Sequence, residues 1–321
     1  MSGLWRRLCV LAVLAVLGSC AVARSEELRR FDFEAPLMAT TFRIALYADS
    51  KERAEKAADA AFRRIASLNG IYSDYEPNSE LMQLCNAGPD KPFKASSELI
   101  SIIARGSEIA RQTDGAYDLT AGNLTRLWRR TRRLRQLPPE DRLRQALQAT
   151  DWRAVEVDEE KCMITLKKPG MLLDLGGIAK GRAADDALRI LKGHGIEKAL
   201  VTAGGDMAVG APPPGEHAWE VKLRVSTPTG AEEKMETVRV KSCGVSTSGD
   251  LYQFVEIGGV RYSHIVSPKT GLGLQEGIAC TVIAPDCTTS DAMATAMCVL
   301  GPGRGGEVAQ RLGVQARFAL P

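Results

Sequence analysis

The sequence has no pair of cysteines at Cys-x-x-Cys spacing, and it holds only 3 histidines. Its 8 cysteines are scattered: Cys9 and Cys20 near the N-terminus, then Cys85, Cys162, Cys243, Cys280, Cys287 and Cys298. A thiolate zinc site is therefore not expected. Some of the later cysteines could pair in an oxidising compartment, but spacing does not fix connectivity. An excess of one charge is also missing. A net charge of +3 leaves no global footprint for nucleic acid. Internal repeats are absent, and a composition of 45% apolar and 25% charged residues excludes a disordered or collagen-like chain. The apolar run at residues 8–17 is too short to span a membrane comfortably.

What is present begins with a targeting segment. Arg6 and Arg7 precede the apolar run and Leu17-Gly18-Ser19-Cys20 closes it, the make-up of a secretory signal. Small residues before a cysteine resemble a bacterial lipobox, which would make Cys20 the lipidated first residue of the mature protein. A plain signal cut nearby, for instance after Ala23, is the alternative. The expected organisation is a lipoprotein signal peptide at residues 1–19, a polar linker at 20–35 and one domain at 36–321. This places the protein in the periplasm, lipid-anchored to a bacterial membrane, the inner one in this reading. At 321 residues the chain can bury a sizeable core.

Along the chain, Met38 to Phe42 lead into an alternating strand ending near Tyr47. Ser50 caps a helix to about residue 68, whose apolar positions (Ala54, Ala58, Ala61, Phe62, Ile65, Leu68) recur at three and four. An aromatic, polar loop follows, then a helix over residues 97–113. Residues 126–144 are arginine-dense around Leu127, Trp128 and Leu134, which reads as a solvated loop and helix face, or as contact with anionic headgroups. Residues 155–157 and 163–166 predict a hairpin leading into a strand at 171–173. A short strand at 199–202, paired strands at 219–225 and 235–240, a polar loop at 246–250 and a hairpin about Gly258-Gly259 come next. A strand at 278–283 and a final helix at 289–300 complete the chain. Hairpins mixed with isolated helices predict an α+β fold with mixed, largely antiparallel sheets flanked by helices.

The central stretch is residues 172–186. Apolar residues meet a carboxylate at Asp174, then Gly176 and Gly177, then an alanine-rich amphipathic run. A strand ends, the backbone turns tightly and a helix begins. The new helix offers unpaired N–H groups and a positive dipole end to an anion such as a pyrophosphate, and Lys180 adds a mobile positive charge. The same residues also suit a plain strand-to-helix turn with a salt-bridged aspartate. Ala203-Gly204-Gly205-Asp206 is a second glycine turn with a carboxylate. On the last helix Asp291 and Thr295 are four apart and share a face; a carboxylate and a hydroxyl are hard oxygen ligands suited to magnesium or calcium. An N-terminal aspartate and a packing threonine explain the pair equally. His264, after a strand and before a Pro-Gly turn, is either a proton acceptor or a structural hydrogen-bonder.

Together these compose a nucleotide-phosphate site. The segments that carry it are Leu-Asp-Leu-Gly-Gly-Ile-Ala-Lys-Gly (173–181), Ala-Gly-Gly-Asp (203–206), Ser-His-Ile-Val-Ser-Pro-Lys-Thr-Gly (263–271) and Ser-Asp-Ala-Met-Ala-Thr-Ala (290–296). They resemble the ApbE family, periplasmic FAD:protein FMN transferases that are often lipoproteins. Met38-Ala39-Thr40, the segment 75–80 and Gly115-Ala116-Tyr117-Asp118 extend the resemblance, in family order, over nearly all the mature chain. The resemblance implies an active site in a cleft between subdomains. It implies magnesium-dependent cleavage of the FAD pyrophosphate and transfer of FMN to a threonine of an acceptor protein, releasing AMP. Met38, Tyr75, Ala116, Tyr117, Asp118, Asp174, Lys180 and Ile265 fall at FAD-contacting positions. The metal would sit on Asp291, Thr295 and the carbonyl of Gly177. Lys180 assists, and His264 is the candidate base. Acceptors are membrane redox subunits such as NqrC or RnfG. Two departures stand out: Ser267 occupies a position where the family usually has aspartate, and the arginine-rich stretch after Trp128 replaces a glycine-containing loop. An FAD pyrophosphatase, with water as acceptor, and a non-catalytic FAD-binding lipoprotein remain as alternatives. The second would not need the Asp291/Thr295 pair.

Overall fold

The computed structural model describes residues 27–226, 234–249 and 254–320. In chain order the elements are β1 (Arg29–Leu37), β2 (Thr40–Ala48), α1 (Lys51–Tyr72), α2 (Glu80–Asn86), β3 (Phe93–Lys94), α3 (Ser97–Gln112), α4 (Gly122–Leu134), α5 (Glu140–Gln148), β4 (Val155–Asp158), β5 (Met163–Leu166), α6 (Ala179–Gly193), β6 (Ala199–Ala203), β7 (Asp206–Val209), β8 (Trp219–Ser226), β9 (Lys234–Val240), β10 (Cys243–Gly249), β11 (Phe254–Ile257), β12 (Val260–Ser263), β13 (Ala279–Ala284), α7 (Cys287–Leu312) and β14 (Gln315–Ala319).

A seven-stranded sheet in the order β1-β2-β6-β7-β10-β13-β14 organises the molecule, and every ladder in it is antiparallel. Period-two alternation sorts its side chains. On β2, Phe42, Ile44 and Leu46 face the main core with α1, α6 and α7, while Ala45 and Tyr47 face the β8–β9 hairpin on the other side. Each buried leucine or isoleucine of that core contributes about 1.5–3 kcal/mol. The apolar stripe of α1 is buried as its spacing predicts, and the Ser50 hydroxyl accepts from the Arg53 N–H as its cap. A third apolar cluster joins α4 and α5 to the β11–β12 hairpin through Leu124, Trp128, Val255 and Tyr262. The Trp128 indole N–H donates to the Ser263 carbonyl at 2.8 Å, which fixes the chain just before His264.

Four expectations need correction. Part of the expected linker at 20–35 is strand: β1 is an edge strand, and its outward residues Arg30, Asp32 and Glu34 masked the inward Phe31 and Phe33. The expected polar loop at 246–250 is, up to Gly249, the interior strand β10, between β7 and β13. Its hydroxyls are satisfied laterally, Ser246 by Ser290 at 2.8 Å and Thr247 by Thr281 at 2.8 Å. Residues 171–173 form no strand; a single parallel bridge, Ala121 to Leu172, is all that pairs there. The helix expected at 289–300 does stop there, at Gly301 with its non-helical φ of 72° and ψ of 174°, but it does not complete the chain: a second helical segment runs on to Leu312 and β14 follows it. Cys20 and the signal segment lie outside the described residues. No helix among the described residues is long and apolar enough to cross a membrane.

Candidate active site

Two helices meet at Gly181. Asp185 on α6 accepts the Cys287 and Thr288 N–H groups at 2.9 and 2.8 Å, pinning the start of α7 against α6. A Cβ on Gly181 would stand 2.2 Å from the Cys287 carbonyl oxygen, so only glycine permits the crossing. The Gly181 N–H donates to Asp291 Oδ2 at 3.0 Å. One turn apart on the same face of α7, Asp291 meets Gly181 in the first turn of α6 and Thr295 lies beside Gly177 just before that helix.

Lys180 lies in that crossing with two carboxylates. Its Nζ is 2.5 Å from Asp206 Oδ2 and 3.5 Å from Asp291 Oδ1. Both aspartates are buried, so two negative charges share one ammonium in a poorly hydrated place. Burial opposes the charge on Lys180, but Asp206 and then Asp291 outweigh it, and the lysine stays protonated. Burial and then Asp206 push the Asp291 carboxyl up to about 7, against the pull of Lys180 and the Gly181 N–H. The surplus negative charge is what a divalent cation would neutralise.

The donors around Asp291 fit a hard cation. The Thr295 hydroxyl is 3.2 Å from that of Ser248 on β10, and it lies 3.3 Å from where a Cβ on Gly177 would stand. The absent side chain leaves the Gly177 backbone open to the same point. The Tyr117 ring closes the other side, 3.4 Å from that Cβ position, and its buried hydroxyl has no hydrogen-bond partner among the described residues. Burial, then the nearby carboxylates of Asp291, Asp174 and Asp118, keep that phenol protonated. Among the described residues no cluster of three His, Cys, Asp or Glu side chains offers a metal site. One carboxylate, one hydroxyl and one carbonyl suit magnesium, which completes its shell with water and phosphate.

A second constellation adjoins the first. Asp174 Oδ1 accepts the Gly176 N–H at 2.7 Å, and its backbone N–H donates to the Leu119 carbonyl, tying the glycine turn to the Tyr117 segment. Arg129 reaches Asp174 Oδ2 at 3.1 Å and Asp74 Oδ2 at 2.5 Å, and its guanidinium lies 4.3 Å over the exposed Tyr75 ring. The arginine-dense stretch is therefore only partly a solvated face; Arg126 and Arg129 turn inward. Met38 and Ala39 form the β1–β2 turn with φ of 50° and 56°. Thr40 beside it lies 3.3 Å from the Cβ position of Gly204, which leads to Asp206. Ala116 is buried. Asp118 is spent locally, accepting from Thr120 and from the Trp152 N–H. Ile265 packs into the main core and is held through Ser263 and Leu274, and His264 precedes it on that anchored segment.

The sequence reading left Asp206, Ser248, Arg129 and Asp74 without roles. The first two stood inside segments already singled out as polar turns. The arginine had no signal beyond its crowded neighbours.

The ApbE family model matches residues 38–318. The FAD:protein FMN transferase of Treponema pallidum is 29% identical over 334 aligned positions, covering 99% of this chain and 91% of that protein. That of Escherichia coli K12 is 28% identical over 287 positions, covering 88% and 81%. Among solved structures, the apo flavinyl transferase ApbE of Pseudomonas stutzeri superposes with a TM-score of 0.79 at 26% identity, over 90% of each chain. The ApbE protein of Thermotoga maritima does so at 0.78 and 29% identity, over 90% and 93%. With a family match over most of its length and this site at its centre, the chain belongs to the ApbE family.

Proposed function

We propose that this protein is an FAD:protein FMN transferase. It cleaves the FAD pyrophosphate, joins the FMN phosphate to a threonine hydroxyl of an acceptor protein and releases AMP. The cluster of Lys180 with the buried Asp206 and Asp291 carries the reading: a charged lysine at a helix start, beside a carboxylate with a surplus of negative charge. The relatives named for this activity share the fold and most of the length.

In this mechanism the start of α6 and the Lys180 ammonium receive the pyrophosphate and stabilise charge developing on its bridging oxygen. Asp206 aims the lysine. Asp291, Thr295 and the Gly177 carbonyl would hold magnesium, which supplies Lewis-acid neutralisation of the phosphate oxygens. Arg129 fixes Tyr75 and Asp174 along the flavin nucleotide, with Met38, Ala116, Tyr117, Asp118 and Ile265 lining the remainder. The acceptor oxygen attacks the FMN-side phosphorus, the bond to the AMP-side oxygen breaks, and AMP leaves. His264 takes the hydroxyl proton. Its segment is held in place by Trp128 and by the Ser263 N–H bond to Leu274. Ser267, in place of the family aspartate, accepts the Thr270 N–H within the same loop. We further propose that Cys20 tethers the protein on the periplasmic side of the inner membrane, where acceptors of the NqrC or RnfG type stand. The signal-like segment and its lipobox support this.

The test mixes mature protein, FAD, magnesium and an acceptor domain, with mass spectrometry for added FMN and assay of AMP. Labelled threonine, abolished by EDTA or Asp291→Ala, is expected, with His264→Ala slowing transfer while FAD still binds. AMP and free FMN without labelled acceptor mean hydrolysis. FAD bound and unchanged refutes the catalytic reading.

A further inference from the structure

Beyond Arg129, α4 carries Arg130, Arg132, Arg133 and Arg135 outward. Among the described residues none of these four forms an ion pair or hydrogen bond, unlike Arg126 and Arg129 on the inner face. Arg129, Arg132 and Arg135 line one wall of a trench of about 640 Å³, and Phe254, Val255 and Glu256 of β11 line the other. Arg129, 3.1 Å from Asp174, lines the trench and also belongs to the residues proposed above for the flavin nucleotide. Arg135 ends α4 in the left-handed conformation, φ 53°, a place that favours glycine. An arginine there costs about 1 kcal/mol. Exposed Leu134 and Phe254 border the charges.

We infer that this trench docks the acceptor: an extended polypeptide segment with carboxylates beside its threonine, laid across Arg132 and Arg135. The inference rests on the transferase reading, because only a transfer reaction brings a polypeptide hydroxyl to this site. Three features select that occupant. The unpaired guanidiniums ask for carboxylates, which they bind in forked geometry. The trench runs between two elements, α4 and β11, which suits a chain laid along it. Its inner end is where the hydroxyl must arrive. Arg129, already neutralised by Asp74 and Asp174, marks the boundary between flavin and acceptor.

The experiment titrates full-length protein with a short fluorescein-labelled peptide of threonine flanked by aspartates, and with its asparagine twin, reading anisotropy. Flavin fluorescence reports FAD binding in the same samples. Wild type is expected to bind the aspartate peptide about tenfold tighter than the twin at low salt, with the preference fading at high salt. Arg132→Glu with Arg135→Glu should erase the preference, and the corresponding glutamine pair should reduce it. Lys192→Glu with Lys222→Glu, an equal charge change on exposed residues elsewhere, should keep it. FAD affinity should hold throughout. Equal binding of the two peptides, or a preference that survives the double charge reversal, overturns the docking site. So does a loss of FAD affinity in parallel, which assigns the trench to the flavin. Sedimentation with phosphatidylglycerol vesicles, without peptide binding, overturns it in favour of a lipid surface. Failure of wild type to bind or turn over FAD refutes the transferase reading instead.

Discussion

Lys180→Ala removes the positive charge that stands between two buried carboxylates. The ammonium stands 2.5 Å from Asp206 and 3.5 Å from Asp291. At an effective dielectric near 20 these distances give gross attractions of about 7 and about 5 kcal/mol before desolvation. Removing one partner from a buried group of this kind costs about 3–5 kcal/mol. The Lys180 side chain keeps 31% of its surface exposed, so the lower end applies, about 3 kcal/mol in the absence of metal. For a domain of this size that lowers Tm by about 5 °C. The loss has a pH signature, because the variant's defect is uncompensated negative charge. It should be largest at pH 8 in EDTA, shrink at pH 5 as Asp291 takes a proton, and shrink at pH 8 when magnesium is added. Thermal melts of wild type and variant across those conditions measure it. A Lys180→Ala protein as stable as wild type at pH 8 in EDTA refutes the reasoning, as does a deficit that ignores both pH and magnesium.

Asp291 gives the wild type a pH dependence of its own. Its folded pKa, about 7, lies above the ordinary 3.8, so its contribution to stability is complete below 3.8 and is lost as pH rises through about 7. Metal-free protein should therefore weaken over that interval in calorimetry. Magnesium should restore it at pH 8 and have little effect at pH 5, where a proton holds the carboxylate. Arg129→Ala frees Tyr75 and leaves Asp74 facing Asp174; FAD affinity, read by flavin fluorescence, should fall about tenfold, a cost near 1.4 kcal/mol. Gly181→Ala drives a Cβ to 2.2 Å from the Cys287 carbonyl and should cost at least about 3 kcal/mol in urea unfolding. Gly193→Ala, at the open end of the same helix, meets no atom within 4 Å and should be neutral or stabilising.

Local chemistry made part of this readable in advance. The period of α1, its Ser50 cap, the Gly258-Gly259 hairpin and the shared face of Asp291 and Thr295 are properties of neighbours in sequence, and the structure has them all. The errors fell where neighbours mislead. β1 looked like linker because an edge strand shows half its residues to water. β10 looked like a loop because its serines and threonines find their partners on β13 and α7, more than 30 residues away. Arg129 was lost in a crowd of arginines because only the fold distinguishes those turned toward Asp74 and Asp174 from those left in solvent.

The sequence by itself determined which groups are available: a glycine turn, a lysine, hard oxygen donors and the order that marks the family. Only the tertiary structure decided how they act. Asp206 and Asp291 stand 85 residues apart in the chain. They become a coupled pair about one lysine because Asp185 pins α7 to α6 and Gly181 lets the two backbones touch. Charge is a property of a residue, whereas burial, and with it the strength of every charge in this site, is a property of the fold.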